Sequence, residues 1–459
     1  MNSSVRVLKV TRVHPAGATA ADDHELSFFD AMHIAEIPIQ RLFFFDGPGL
    51  PPFASLVSAL RSSLADTLAV FFPLAGELVF RPSSGSVVVD CSTAAGVRFV
   101  EAEYLGSADD MRRLARQDEH ATKEFLQLVP DMEVMQLPAA VLAVQVTRPA
   151  VGYDAVAVGV SILHAVVDGQ AVWQFMRAWS TASREGAAAP GRLEPPPTFD
   201  RAAILQHPMA VELSREFLRF FAPALPLLTS PSSSFRTSTV DTTEQILRTF
   251  VLTADRIRSL KQLCILQNGT TGTQPPTSTY VAVSSLVWAS LVRAKSTDED
   301  HAEDAHFTVV ADCRGRLRPP LGEGYFGNCV RACFARVNIG DLCGEGGVAL
   351  AARAIQERIR EDLDRASDPL EGMDRVLEVV HGTPKERLTS VGSSHRFMAY
   401  ETDFGWGAPS RVELVSRFTP ELVTLLGAKE AGAVQLSVAL RRPLMEAFAA
   451  NFLTLAGSS

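Results

Sequence analysis

The sequence predicts an α+β fold within the broad α/β class, with mixed β-sheets, flanking helices and more than one domain. Three observations carry this. The chain has 459 residues, 47% hydrophobic and 21% charged, enough for large cores in two or three domains. β-rich runs and helix-period apolar stripes both recur along its whole length. They do not alternate in the strict strand–helix order of a doubly wound parallel sheet, and no repeat at a solenoid period interrupts them.

Residues 5–13 form the first β-rich run. Residues 40–46 hold Leu42, Phe43, Phe44 and Phe45, a strand buried on both faces, and a Gly/Pro breaker at 47–52 closes it. A helix over 53–71 follows, with Leu56, Leu60, Leu64 and Leu68 on one stripe and Pro73 and Gly76 beyond its end. Short strands at 85–90 and 97–101 precede a helix at 108–116. Residues 141–147 and 155–162 read as a hairpin across a loop holding Pro149, Gly152 and Asp154. A helix over 170–183 sets Val172, Phe175, Met176 and Trp179 on one face. The Ala/Gly/Pro-rich stretch 186–197 marks a domain boundary, and 230–234 is a second flexible stretch. Beyond lie strands at 246–252, 307–311 and 434–440, and helices at 254–264, 278–294, 346–363 and 444–455.

A net charge of -9 and a pI near 5.6 disfavour nucleic acid and anionic membrane as partners, because both want a basic face. No apolar run approaches the roughly 18 residues of a membrane span, and residues 1–10 are too short and mixed for a signal peptide. Six cysteines are sparse for this length and suggest free thiols in a cytoplasmic protein. No cysteine or histidine pattern has metal-ligand spacing, so no metal is expected.

The chain has no GxSxG, P-loop, GxGxxG or HExxH, which sets aside the common hydrolase, nucleotide and zinc-protease readings. His164 is the remaining candidate base, at the end of a strand where it runs into a loop. Its neighbour four residues on, Asp168, either orients the imidazole or caps the helix that begins near Gly169. A histidine and aspartate at this spacing are a weak signal alone, and a turn histidine is the commoner explanation. Two further stretches stand out. Residues 400–409 (YETDFGWGAP) form a tight aromatic loop, with Asp403 either catalytic or a buried partner of an arginine. Residues 319–329 end in GYFGNC, where Asn328 offers an amide to backbone or ligand.

Together, HAVVDG at 164–169, DFGWG at 403–407 and DCRGRLRPPL…GYFGNC at 312–329 resemble the plant BAHD acyl-CoA-dependent acyltransferases. TRVHPA at 11–16, FFPLAGEL at 71–78 and PPPTFDR at 195–201 extend the resemblance over nearly the whole chain. The resemblance implies two similar-sized domains of the chloramphenicol acetyltransferase fold with a channel between them. On that pattern, residues 1–185 form the first domain and 186–231 the crossover loop. Residues 232–402 and 428–459 form the second domain, with about 403–427 added to the first sheet. His164 would deprotonate an acceptor hydroxyl or amine that attacks the thioester directly, without an acyl-enzyme. Asp168 and Gly169 would shape the loop, Asp168 through an arginine. Arg314 would pair with Asp403, which is kept among the catalytic candidates, and Trp406 would donate to the oxyanion. Lys261, Ser278, Thr279 and Asn328 would contact the acyl-CoA, and Arg177 the carboxylate of a malonyl group.

The same resemblance points to the branch that moves malonyl from malonyl-CoA to phenolic or flavonoid glucosides. Ala408 departs from it, standing where that branch often carries a basic residue, so an aromatic acyl donor and an alcohol or amine acceptor stay open. A non-catalytic small-molecule-binding relative and a hydrolase of the same thioester are the competing classes. The implied enzyme is a cytoplasmic monomer that uses acyl-CoA as co-substrate and holds no bound cofactor.

Overall fold

Strands that are apolar on both faces form the middle of the first sheet. The computed structural model describes residues 4–17, 23–92, 95–132, 134–186, 194–228, 245–267, 276–365, 368, 370–415 and 422–457. The chain divides into two units. The first holds Met1–Thr243, Leu321–Cys329 and Ala399–Thr419; the second holds Glu244–Pro320, Val330–Met398 and Pro420–Ser459.

In the first unit, β1 (Val5–Val13), β2 (Ile39–Asp46), β3 (Val97–Ser107), β4 (Leu142–Val151) and β5 (Ala155–Ile162) lie in the order β1-β3-β4-β5-β2. Arg411–Glu413 adds an edge strand to β2. Only the β3–β4 pair is parallel. Every residue of β5 and all but the last of β2 are buried, so the middle strands lack the polar alternation of β1, an edge strand with Val7 and Val10 open to solvent. Gly159 is required in β5, because a Cβ there would stand 2.3 Å from the Leu128 carbonyl oxygen. A smaller antiparallel sheet joins His24–Glu25, Ser86–Asp90, Glu77–Arg81 and Ala139–Ala140.

Four helices of this unit bear on the site. They are α1 (Phe28–Ala31), α2 (Phe53–Val70), α3 (Ala108–Arg116) and α4 (Gly169–Glu185). The α2 stripe Leu56, Leu60, Leu64, Leu68 is buried, and α4 packs beside it. Trp179 of α4 fastens the pair by donating its indole N–H to Leu60 O and Ser63 Oγ, both at 3.2 Å. By length and composition α2 does reach the scale of a membrane span, with 18 residues and a mean hydropathy of 1.2, contrary to expectation. Its alanines and valines add to the apolar count and only Arg61 and Asp66 are charged, while its leucines face the core.

In the second unit, β6 (Gln245–Leu252), β7 (Asp304–Asp312), β8 (Val330–Asn338), β9 (Leu388–Val391), β10 (Leu422–Gly427) and β11 (Val434–Arg441) lie in the order β8-β7-β9-β10-β11-β6. α5 (Ala254–Gln267), α6 (Thr279–Lys295), α7 (Gly347–Ile359) and α8 (Arg442–Gly457) accompany it, and α6, buried all round from Val281 to Val292, packs against α7 and α8.

The domain limits differ from the expectation in three places. Residues 422–427 pair with β9 and β11 of the second unit, and only Arg411–Glu413 extends the first sheet. Leu321–Cys329 belongs to the first unit, which runs on to Thr243. Within the expected crossover loop, Ala202–Leu205 and Ala210–Phe221 are helices, the second packing on α1 through an apolar face with Leu213 and Phe217 buried. The expected flexible stretch 230–234 lies outside the described residues. All six cysteines are free thiols, five of them buried.

Candidate active site

His164 stands in the turn between β5 and α4, where the strand ends and Asp168 starts the helix. Leu163 N bonds Val141 O at 2.9 Å and ties the start of this turn to the segment before β4. Asp168 is 1% exposed and has extended backbone as the N-cap of α4. One carboxylate oxygen accepts from Ala171 N at 3.0 Å, the other from Cys329 N at 3.1 Å. Of the two roles open in the sequence, capping is the one these bonds express.

Asn328 is fully buried and holds the turn from the other side. Its side-chain amide donates to His164 O at 2.8 Å and to Asp30 Oδ1 at 2.9 Å. Asp30, also fully buried, closes α1 in a capping box with Ser27 and takes Arg201 Nε at 3.3 Å. Asn328 therefore supports the backbone of His164, in place of the acyl-CoA contact expected of it. Asp30 and Arg201 were missed in the sequence; PPPTFDR was noted only as a block.

The imidazole of His164 meets two residues from the turn after α1. Its ring stacks on His33, centroids 3.9 Å apart and planes 15° apart. Its Nε2 lies 3.8 Å from Glu36 Oε2, and His33 Nδ1 lies 3.1 Å from Glu36 Oε1. The three side chains are 23%, 12% and 49% exposed for His164, His33 and Glu36. They line a cavity of about 10 Å³ with Ile34, Leu78 and Leu163, room for one water or one ion. Burial and the charge of His33 push the His164 pKa down to about 4, against an opposing pull from Glu36. Burial also works to lower His33, but Glu36 prevails and raises it. Burial tends to raise Glu36, and the two imidazoles outweigh it, bringing the carboxyl down to about 2. At neutral pH this leaves a neutral His164 beside an anionic carboxylate, a lone pair ready to accept a proton. Neither His33 nor Glu36 was singled out in the sequence. Their spacing of three is unremarkable until the fold brings it to His164.

Asp403 and Trp406 stand elsewhere in the first unit. Asp403 Oδ1 accepts from the backbone N–H of Gly405, Trp406 and Gly407 at 2.7, 3.0 and 2.9 Å, with both glycines at positive φ. The loop docks at the C-terminal end of α4, where Ser183 Oγ donates to Phe404 O at 2.9 Å and Arg184 to Asp403 O at 3.1 Å. Fifteen residues of helix separate that end from Asp168, roughly 20 Å at 1.5 Å per residue. Trp406 packs edge-on to Phe45 at the far end of β2. The loop locks α4 to β2, which fits the structural alternative for Asp403 and argues against an oxyanion contact from Trp406. Arg314 is in the second unit, where its guanidinium bonds Asp312 at 2.9 Å.

Gly169 is the first residue of α4, and Arg177 is exposed two turns further along it. Ser278 caps α6 by accepting from Val281 N at 3.2 Å, with Thr279 as the first helical residue. Lys261 lies on α5, and its charge, with that of Arg396, adds to burial in lowering the His395 pKa. Lys261, Ser278 and Thr279 all belong to the second unit. A larger surface hollow of about 370 Å³ lies on α3 among Arg112, Arg113 and Arg116, whose charges already meet Asp109, Asp110, Asp46 and Asp154.

A family model described as the Transferase family matches residues 3–455. Phenolic glucoside malonyltransferase 1 of Arabidopsis thaliana is 28% identical, with 97% of this chain and 96% of its own length covered. The malonyl-CoA:anthocyanidin 5-O-glucoside-6''-O-malonyltransferase of the same plant is 30% identical, with 98% of each covered. Vinorine synthase has the same fold, with a TM-score of 0.73 at 18% identity over 98% of each chain.

Proposed function

Because the chain belongs to the Transferase family, the BAHD acyl-CoA-dependent acyltransferases, we propose that it moves malonyl from malonyl-CoA to a hydroxyl of a phenolic or flavonoid glucoside. His164 is the general base. Its Nε2 takes the hydroxyl proton as the oxygen attacks the thioester carbonyl. The tetrahedral intermediate collapses with cleavage of the C–S bond, and the imidazolium returns the proton to the CoA thiolate. The observation that carries this reading is His164 Nε2 at 3.8 Å from the Glu36 carboxylate, in the turn that ends β5. A ring with a lowered pKa is a weak base at rest. Glu36 offsets that weakness by stabilising the imidazolium as it forms. A contribution of 10²–10⁴ in rate is usual for a positioned base.

On the donor side, the Ser278–Thr279 helix start and Lys261 supply the polarity that CoA phosphates need, and Arg177 the cation for a malonyl carboxylate. The enzyme works as a cytoplasmic monomer in this reading. A matrix of acyl-CoA donors and glucoside acceptors, read by mass spectrometry, tests it. Malonyl transfer that disappears in His164→Ala is the expected result. Full activity in that variant, or no CoA release with any donor, overturns it. Ala408 favours a second reading, transfer of a hydroxycinnamoyl or other aromatic acyl group to an alcohol or amine, and the same matrix decides between them.

A further inference from the structure

We propose that His33, Glu36 and His164 bind one divalent transition ion, with Zn²⁺ the best match, and that the bound ion blocks acyl transfer. The second half rests on His164 being the base, as proposed above. Each residue offers one donor atom, and all three atoms lie within 4.8 Å of one another. Two imidazoles and a carboxylate are the ligand set of many three-residue zinc sites, with water in the fourth position. The half-exposed Glu36 leaves that position open to solvent.

Three further observations point the same way. The Nε2 of His33 is buried and has no hydrogen-bond partner. The cavity these residues line is the size of a single ion or water. Two buried carboxylates, Asp168 and the Arg201-paired Asp30, stand near enough to His33 to act on its charge in the sense that favours a cation there. The stacked rings hold their nitrogens side by side, so binding requires one ring to tilt until both lone pairs converge. Asn328 and Asp168 hold the backbone of the His164 turn, so the adjustment is one of side-chain torsions. A metal on Nε2 occupies the lone pair that takes the acceptor's proton, which makes inhibition competitive with the acceptor.

The test uses tag-free full-length protein stripped with a chelator. Co²⁺ is titrated in while its visible ligand-field bands are followed, and Zn²⁺ is then added in competition. The expected result is one Co²⁺ per chain, with intense bands of low coordination number that Zn²⁺ removes. His33→Phe and Glu36→Gln, shown to be folded by their melting transitions, should each weaken binding by at least about tenfold. Zn²⁺ should inhibit wild-type acyl transfer at least about tenfold more potently than it inhibits His33→Phe. A Co²⁺ spectrum matching the aqueous ion, or equal binding by wild type and both variants, overturns the proposal. The Co²⁺ readout needs no turnover. Binding without transfer therefore indicts the acyltransferase reading, and transfer without binding indicts the metal site.

Discussion

The side-chain amide of Asn328 donates to the peptide carbonyl of His164 at 2.8 Å, joining residues 164 positions apart in sequence. The same amide reaches Asp30, so one buried side chain links the His164 turn to the cap of α1. Asn328→Ala removes both bonds, and a buried polar group left without its partner costs about 1–3 kcal/mol. The variant should melt lower and lose at least about tenfold in kcat, since small misplacements of a reacting group are costly. Asn328→Asp should be worse, because it sets a second carboxylate against Asp30. Steady-state kinetics beside thermal melts check both.

Asp168→Ala should destabilise the first unit by about 1–2 kcal/mol for the lost helix cap, with a further loss for the Cys329 amide. Urea unfolding measures this. Asp168→Asn keeps an acceptor for Ala171 and should fall in between. Well below the melting temperature, either variant should retain more activity than His164→Ala.

The loop at Asp403 offers a clean separation of shape from chemistry. Asp403→Ala strips three N–H groups of their common acceptor and should lower the melting temperature. Trp406→Phe should leave kcat near wild type, far from the 10²–10⁴ loss of a missing general base. A large kcat loss in Trp406→Phe at unchanged stability would restore the oxyanion role that the loop's position argues against.

His24 makes stability depend on pH. Its ring packs near Phe72 and Phe199, at 5.4 and 5.5 Å. Burial, then the charge of Arg201, lowers its pKa from 6.5 to about 4. Between these values the unfolded chain binds the extra proton, so stability is complete above 6.5 and is lost as pH falls toward 4. In urea titrations from about pH 7 down to about pH 5, His24→Gln should lose less stability than wild type.

The sequence made His164, the hairpin before it and the helix after it legible, because alternating apolar runs and a turn signal are local. It also marked Asp403, Trp406 and the GYFGNC segment as unusual. It did not convey where they go. The oxyanion role of Trp406 came from the family resemblance, whereas its rigid aromatic loop serves the joint between α4 and β2. Glu36, His33, Asp30 and Arg201 sit in ordinary contexts, and their importance arises only when α1 is laid against the β5 turn. The strand at 422–427 went to the other sheet because its pairing with β11 is a hairpin contact, and such short connections are favoured.

The excursion of Leu321–Cys329 into the first unit has a consequence for how this gene can be cut. A fragment ending at residue 243 encodes His164, Glu36 and Asp168, but neither Asn328 nor the Cys329 amide that hold the turn. Splicing that fragment to the second half of a relative imports the relative's residues at both places. Chimeras of this enzyme should thus inherit the setting of His164 from the donor of the C-terminal half.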